Sequence, residues 1–114
     1  MSATTTTGAA ARITREVTAW PGVDAGPGPR GEFGFRVGRR EIGHLHGDRV
    51  AHFGFPRRVW EELMAQGRIT RHPIDHEGWG ARAIHGEHDE RDVVALMRLN
   101  YDRAAARLGT PDAA

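Results

Sequence analysis

Between Glu32 and Phe55 the chain sets two glycine pairs, Gly38-Arg39 and Gly47-Asp48, into strand-like sequence. A Gly-X pair between alternating runs is a two-residue hairpin signal, so two in succession commit the segment to an antiparallel meander. Taken literally, the strands are 32–37, 40–46 and 49–55. The first turn sets Val37 opposite Arg40, Phe35 opposite Ile42 and Phe33 opposite His44. The second sets His46 opposite Arg49, His44 opposite Ala51 and Ile42 opposite Phe53. Side chains alternate between faces. One face then carries Phe33, Phe35, Val37, Ile42, His44, Ala51 and Phe53 and is expected to be the core face. The other carries Glu32, Gly34, Arg36, Glu41, Gly43, Leu45, Val50, His52 and Gly54. This register predicts His44 inside, packed among Phe33, Phe35 and Ile42, with Leu45 and His52 on the opposite face.

The remaining elements follow from periodicity and punctuation. Ile13, Val17 and Trp20 make one helical stripe over 12–20, ended by Pro21-Gly22. The three glycines and two prolines of Asp24–Gly31 predict a loop. Pro56 suits the first turn of a helix over 57–66, with Val59, Trp60, Leu63 and Met64 on its apolar stripe and Gly67 as its stop. Arg68–His76 and Gly78–Ile84 read as two further strands, the first an edge strand because of Pro73. Asp89 is placed as N-cap of a last helix, whose buried stripe is Val93, Met97, Tyr101, Ala104 and Leu108. The predicted order is α-β-β-β-α-β-β-α. That is an α+β two-layer sandwich, with about five antiparallel strands and three helices. Residues 1–11 are expected to be a disordered tail, 12–109 one domain and 110–114 a loose end.

The residue inventory removes whole classes of chemistry. The chain has 114 residues and no cysteine, which excludes disulfides, thiolate catalysis and Cys-ligated zinc. All sixteen basic residues are arginine, so no lysine is present for a Schiff base or a P-loop. The single serine, Ser2, lies in the expected tail, which argues against a serine-nucleophile hydrolase. Seven histidines, fifteen carboxylates, the arginines and the threonines remain for any site. A net charge of +1 with both signs interspersed argues against a strong nucleic-acid surface. The longest strongly apolar run, Val93–Met97, is far short of a membrane span. With no basic-then-apolar leader, a cytoplasmic protein is expected.

The stretch from Gly38 through His44-Leu45-His46-Gly47-Asp48-Arg49, followed by Phe55-Pro56-Arg57-Arg58-Val59, resembles a small bacterial family labelled luciferase-family or luciferase-domain proteins. The resemblance continues through His76-Glu77-Gly78-Trp79 and Leu96–Arg103. The glycine-tryptophan strand and the helix ending near a tyrosine also look like the MmcQ/YjbR-like family. That second resemblance implies an α+β double-wing fold and DNA binding suggested by shape. Flavin-dependent bacterial luciferases are barrel enzymes, and this chain is too short for one. Gly26-Pro27-Gly28 is a proline-broken loop and no dinucleotide fingerprint, so no FMN or other cofactor is expected.

His44 and His46, two apart on a strand, share a face and could chelate a metal, given a third ligand. The register denies them His52, while Asp48 in the turn could reach His46. The plainer alternative makes His44 a buried, hydrogen-bonded histidine and His46 a strand terminus, and on it no metal is expected. His85–Asp89 and Asp75-His76-Glu77 hold several potential ligands but read as polar surface loops. Gly34 and Gly43, paired in this register, leave either a bare patch for a ligand or a bulge with strong twist. Arg36 opposite Glu41 reads as a cross-strand ion pair. Arg57 and Arg58 at a helix start read as solvated charges partnered by Glu61 and Glu62. The candidate binding residues are His44, His46, Asp48, Arg49 and His52, with no catalytic residue assigned. The sequence points to a non-catalytic binding module for an unknown small ligand or protein. The alternatives are a small His/Asp-based or metal-assisted enzyme and a weak nucleic-acid-binding domain.

Overall fold

A computed structural model describes residues 8–108. The fold is α+β, and the described residues form three helices and six strands. Helix α1 (Ala9–Val17) is followed by strands β1 (Val23–Pro27), β2 (Phe33–Val37), β3 (Arg40–His46) and β4 (Val50–Gly54). Then come α2 (Arg57–Ala65), β5 (Thr70–Arg71), β6 (Trp79–Ala83) and α3 (Glu87–Leu108). The strands form one antiparallel sheet in the order β1-β2-β3-β4-β6-β5.

Three expectations change. The Asp24–Gly31 loop contains β1, an edge strand, where glycine and proline are tolerated. The strand expected over 68–76 shrinks to Thr70–Arg71, and the segment after it leaves the sheet as a loop. Ala9–Ala11, assigned to the tail, are the first turn of α1. The rest of that tail, and the end beyond 108, lie outside the described residues.

The core lies between the sheet and the helices. Ile13 and Val17 of α1 and Val93, Leu96 and Met97 of α3 are buried with Phe35, Ile42, Leu45, Ala51 and Phe53 of the sheet. The register explains why Leu45, and not His44, belongs to this set. Val37 faces Arg40 and Arg36 faces Glu41, but a bulge follows and Phe35 faces Gly43. Ile42 is the extra residue, and every later side chain of β3 changes face. Asn100 of α3 donates from Nδ2 to the Ile42 carbonyl at 3.3 Å and to the Gly54 carbonyl at 3.0 Å, holding the bulge against the end of β4. The β3–β4 connection is Gly47-Asp48-Arg49 rather than two residues, with Gly47 at φ +61°. His46 therefore faces Val50, Leu45 faces Ala51 and His44 faces His52.

This corrects the expected register. His44 lies with His46 and His52 on the face away from the helices, and Leu45 is fully buried beneath them. Gly43 moves to the core face, where an added Cβ would meet the Met97 sulfur at 2.6 Å and the Phe53 ring at 3.0 Å. Bulge and longer turn offset each other, so Ala51 and Phe53 stay in the core as expected.

Candidate functional site

The helix-free face of the sheet holds a trough of about 430 Å³. His44 and His46 of β3, His52 of β4 and Trp79 of β6 form its floor. The β5–β6 loop supplies one wall through His72, Pro73, Ile74 and His76, and the β1–β2 loop supplies Arg30 and Glu32. Five of the seven histidines of the chain meet here. Gly54 faces Trp79 across β4 and β6, and an added Cβ there would touch the indole at 3.3–3.4 Å. The glycine thus gives the indole room beside the floor. Trp79 is fixed from behind, because its carbonyl accepts a 2.9 Å bond from Trp60 Nε1 of α2.

The imidazoles are in mutual contact. Ring centroids are 5.1 Å apart for His44 and His46, 5.2 Å for His44 and His52, and 4.7 Å for His46 and His52. His72 closes onto His52 at 4.3 Å. His44 Nδ1 donates to Glu41 Oε2 at 2.7 Å, which leaves the lone pair on Nε2. Glu41 stands opposite Arg36 in the ladder as expected, but its carboxylate is turned to His44. His72 Nδ1 accepts the Ile74 backbone N–H at 3.1 Å, so its proton sits on Nε2 and it serves as a donor. His52 is buried, and its Nδ1 has no hydrogen-bond partner. Burial, reinforced by the neighbouring imidazoles of His72, His44 and His46, lowers the His52 pKa from 6.5 to about 4. Burial first, then His44, His46 and His76, also lowers that of His72. His52 is therefore neutral at neutral pH.

One nitrogen from each of His44, His46 and His52 lies within 4.8 Å of the others. The third imidazole that the two-residue turn placed out of reach of His44 and His46 thus stands beside them. The other two sequence candidates point elsewhere. Asp48 Oδ1 accepts the Ala10 N–H at 2.8 Å and so caps α1. Arg49 is exposed, and its carbonyl accepts the Ile84 N–H at 2.8 Å just past the end of β6. His85–Asp89 is a helix entrance, with Asp89 Oδ2 accepting the His85 N–H at 2.8 Å. In the 75–77 segment Asp75 pairs with Arg71 and Glu77 with Arg57, and only His76 lines the trough.

Sequence reasoning missed His72, Trp79, Glu41 and the Pro73-Ile74 wall. The available signal was Ile74 itself, a large apolar residue in a polar loop, which is 69 % exposed.

No helix among the described residues is long and apolar enough to cross a membrane. No curated protein and no solved structure matches the chain significantly. A family profile described as Luciferase domain matches residues 39–100, which include His44, His46, His52, His72, His76 and Trp79. That match spans more than half of the sequence, and the chain belongs to the Luciferase domain family.

Proposed function

We propose that the chain is a binding module for a small, planar, partly apolar ligand, and that the trough is its site. The observation that carries this reading is the trough itself. Its volume of about 430 Å³ falls in the size range of small-molecule sites. Flat rings of His44, His52 and Trp79 offer stacking surfaces, Pro73 and Ile74 offer apolar contact, and the imidazoles offer donors and acceptors. Arg30 on the rim favours an acidic group on the ligand, with Glu32 beside it limiting the preference. Burying His52 on this face, with His44, His46 and His72 half-buried around it, costs stability that core packing does not require.

Benzoate and salicylate are suitable probes, being planar and acidic. Ligand-observed NMR should detect binding that weakens at least tenfold in Ile74→Asp. Ile74 is largely exposed, so this variant keeps its fold. Binding that Ile74→Asp leaves unchanged, or none with either probe and a wider set of aromatic acids, would overturn the reading.

The Glu41–His44 pair favours a second reading, a small metal-assisted enzyme, because a carboxylate-oriented imidazole is a common element of such sites. The His/Asp form of that reading loses its aspartate, since Asp48 is engaged at α1.

A further inference from the structure

We propose that His44, His46 and His52 bind one divalent transition-metal ion, zinc or a close analogue, with the fourth coordination position open to the trough. This deepens the reading above and rests on the trough being the functional site.

Four observations converge. The ladder places the three imidazoles side by side, with His44 directly opposite His52 and His46 two residues along the same strand. Their candidate ligand atoms already lie within 4.8 Å of one another. A tetrahedral ion with bonds of 2.0–2.1 Å needs ligand atoms about 3.3 Å apart, so modest ring rotations complete the set. Glu41 accepts from His44 Nδ1 at 2.7 Å, the carboxylate–histidine arrangement that fixes a metal-ligating tautomer and raises its basicity. Finally, His52 Nδ1 is buried with no partner. A buried polar atom left unpaired is costly, and a bound cation or its ligand is what removes that cost.

The donor set narrows the chemistry further. Three imidazoles and no thiolate suit zinc, copper, nickel or iron rather than magnesium or calcium. Three neutral ligands leave the ion's charge uncompensated, so the exogenous fourth ligand is an anionic oxygen, such as hydroxide or a carboxylate. His72 contacts His52 and presents Nε2–H on the trough wall, placed to donate to that oxygen.

The test uses tag-free protein stripped with a chelator, then titrated with Zn²⁺ and separately with Co²⁺. One ion per chain should bind, with Co²⁺ giving the intense visible absorption of four-coordinate cobalt. Glu41→Gln should weaken Zn²⁺ binding about 10–100-fold. His46→Ala, at a half-buried strand end, should abolish stoichiometric uptake while circular dichroism keeps the native spectrum. Absence of stoichiometric uptake by the unmodified chain, or equal uptake by His44→Ala and His46→Ala, overturns the proposal. Benzoate binding by a chain that takes up no metal overturns the metal site alone. Metal uptake without benzoate binding upholds the metal site and counts against the aromatic-acid module.

Discussion

At the scale of single residues, the structure separates side chains that the sequence grouped together. Asp48 stood with the histidines because it is two residues from His46. Its carboxylate instead satisfies an orphan N–H at the start of α1, a helix whose own N-cap, Gly8, offers no side chain. Asp48→Ala should therefore cost about 1 kcal/mol in chemical denaturation, as lost caps do, and leave Zn²⁺ and benzoate binding unchanged. A matching loss of ligand binding would return Asp48 to the site. Gly43 is a second case. Its alternation placed it among bare residues on the open face, whereas it lies beneath Met97 and against Phe53. Gly43→Ala should destabilise by about 1–3 kcal/mol through overpacking. A neutral result in thermal or urea unfolding would mean that Met97 yields freely.

At the scale of elements, much was legible. The two hairpins, both later helices and the core identity of Phe35, Val37, Ile42, Ala51 and Phe53 follow from alternation and turn residues alone. The site was less legible because a bulge and a turn length decide it, and neither is written in apolar periodicity. Ile42-Gly43 reads as ordinary alternation until Asn100, 58 residues away, binds the displaced carbonyl. Gly47-Asp48 reads as a two-residue turn until Arg49 joins it. His72 was out of reach for a different reason, since its place depends on how a proline-containing loop folds back over the sheet. The entrance to α3 makes a further prediction. Asp89 accepts the His85 N–H and pairs with Arg82 at 2.6 Å, and these contacts hold its carboxyl below the ordinary value of 3.8. A depressed carboxyl pKa stabilises the fold above the unfolded-state value and loses that contribution as pH falls through the folded one. Asp89→Asn should thus be less stable than the parent chain at pH 6, with the gap closing below about pH 4. Urea midpoints across that range measure it, and a constant gap would show that the charge is immaterial.

For the whole molecule, the charges largely cancel one another. Arg12 grips Glu90 through two bonds of 2.9 and 2.7 Å, Arg68 and Arg82 share Asp92, and Arg57 lies between Glu61 and Glu77. With a net charge of +1 and these arginines engaged, duplex DNA should bind only at low salt and without sequence preference. A mobility shift at nanomolar concentration in physiological salt would contradict this. The backbone hydrogen bonds define how the sheet ends. Gly28 donates inward to Glu32 at 2.7 Å, so by alternation the backbone nitrogens of Val23, Ala25 and Pro27 face out from β1. Val23 spends its N–H on the Trp20 carbonyl at 3.2 Å, and Pro27 has none, which leaves Ala25 as the outward donor of the strand. At the other margin β5 is two residues long. Among the described residues neither border offers a second copy an unbroken row of donors, which guards this open sheet against growing into a polymer. Pro27→Val restores a donor to the border and should raise light scattering on mild heating.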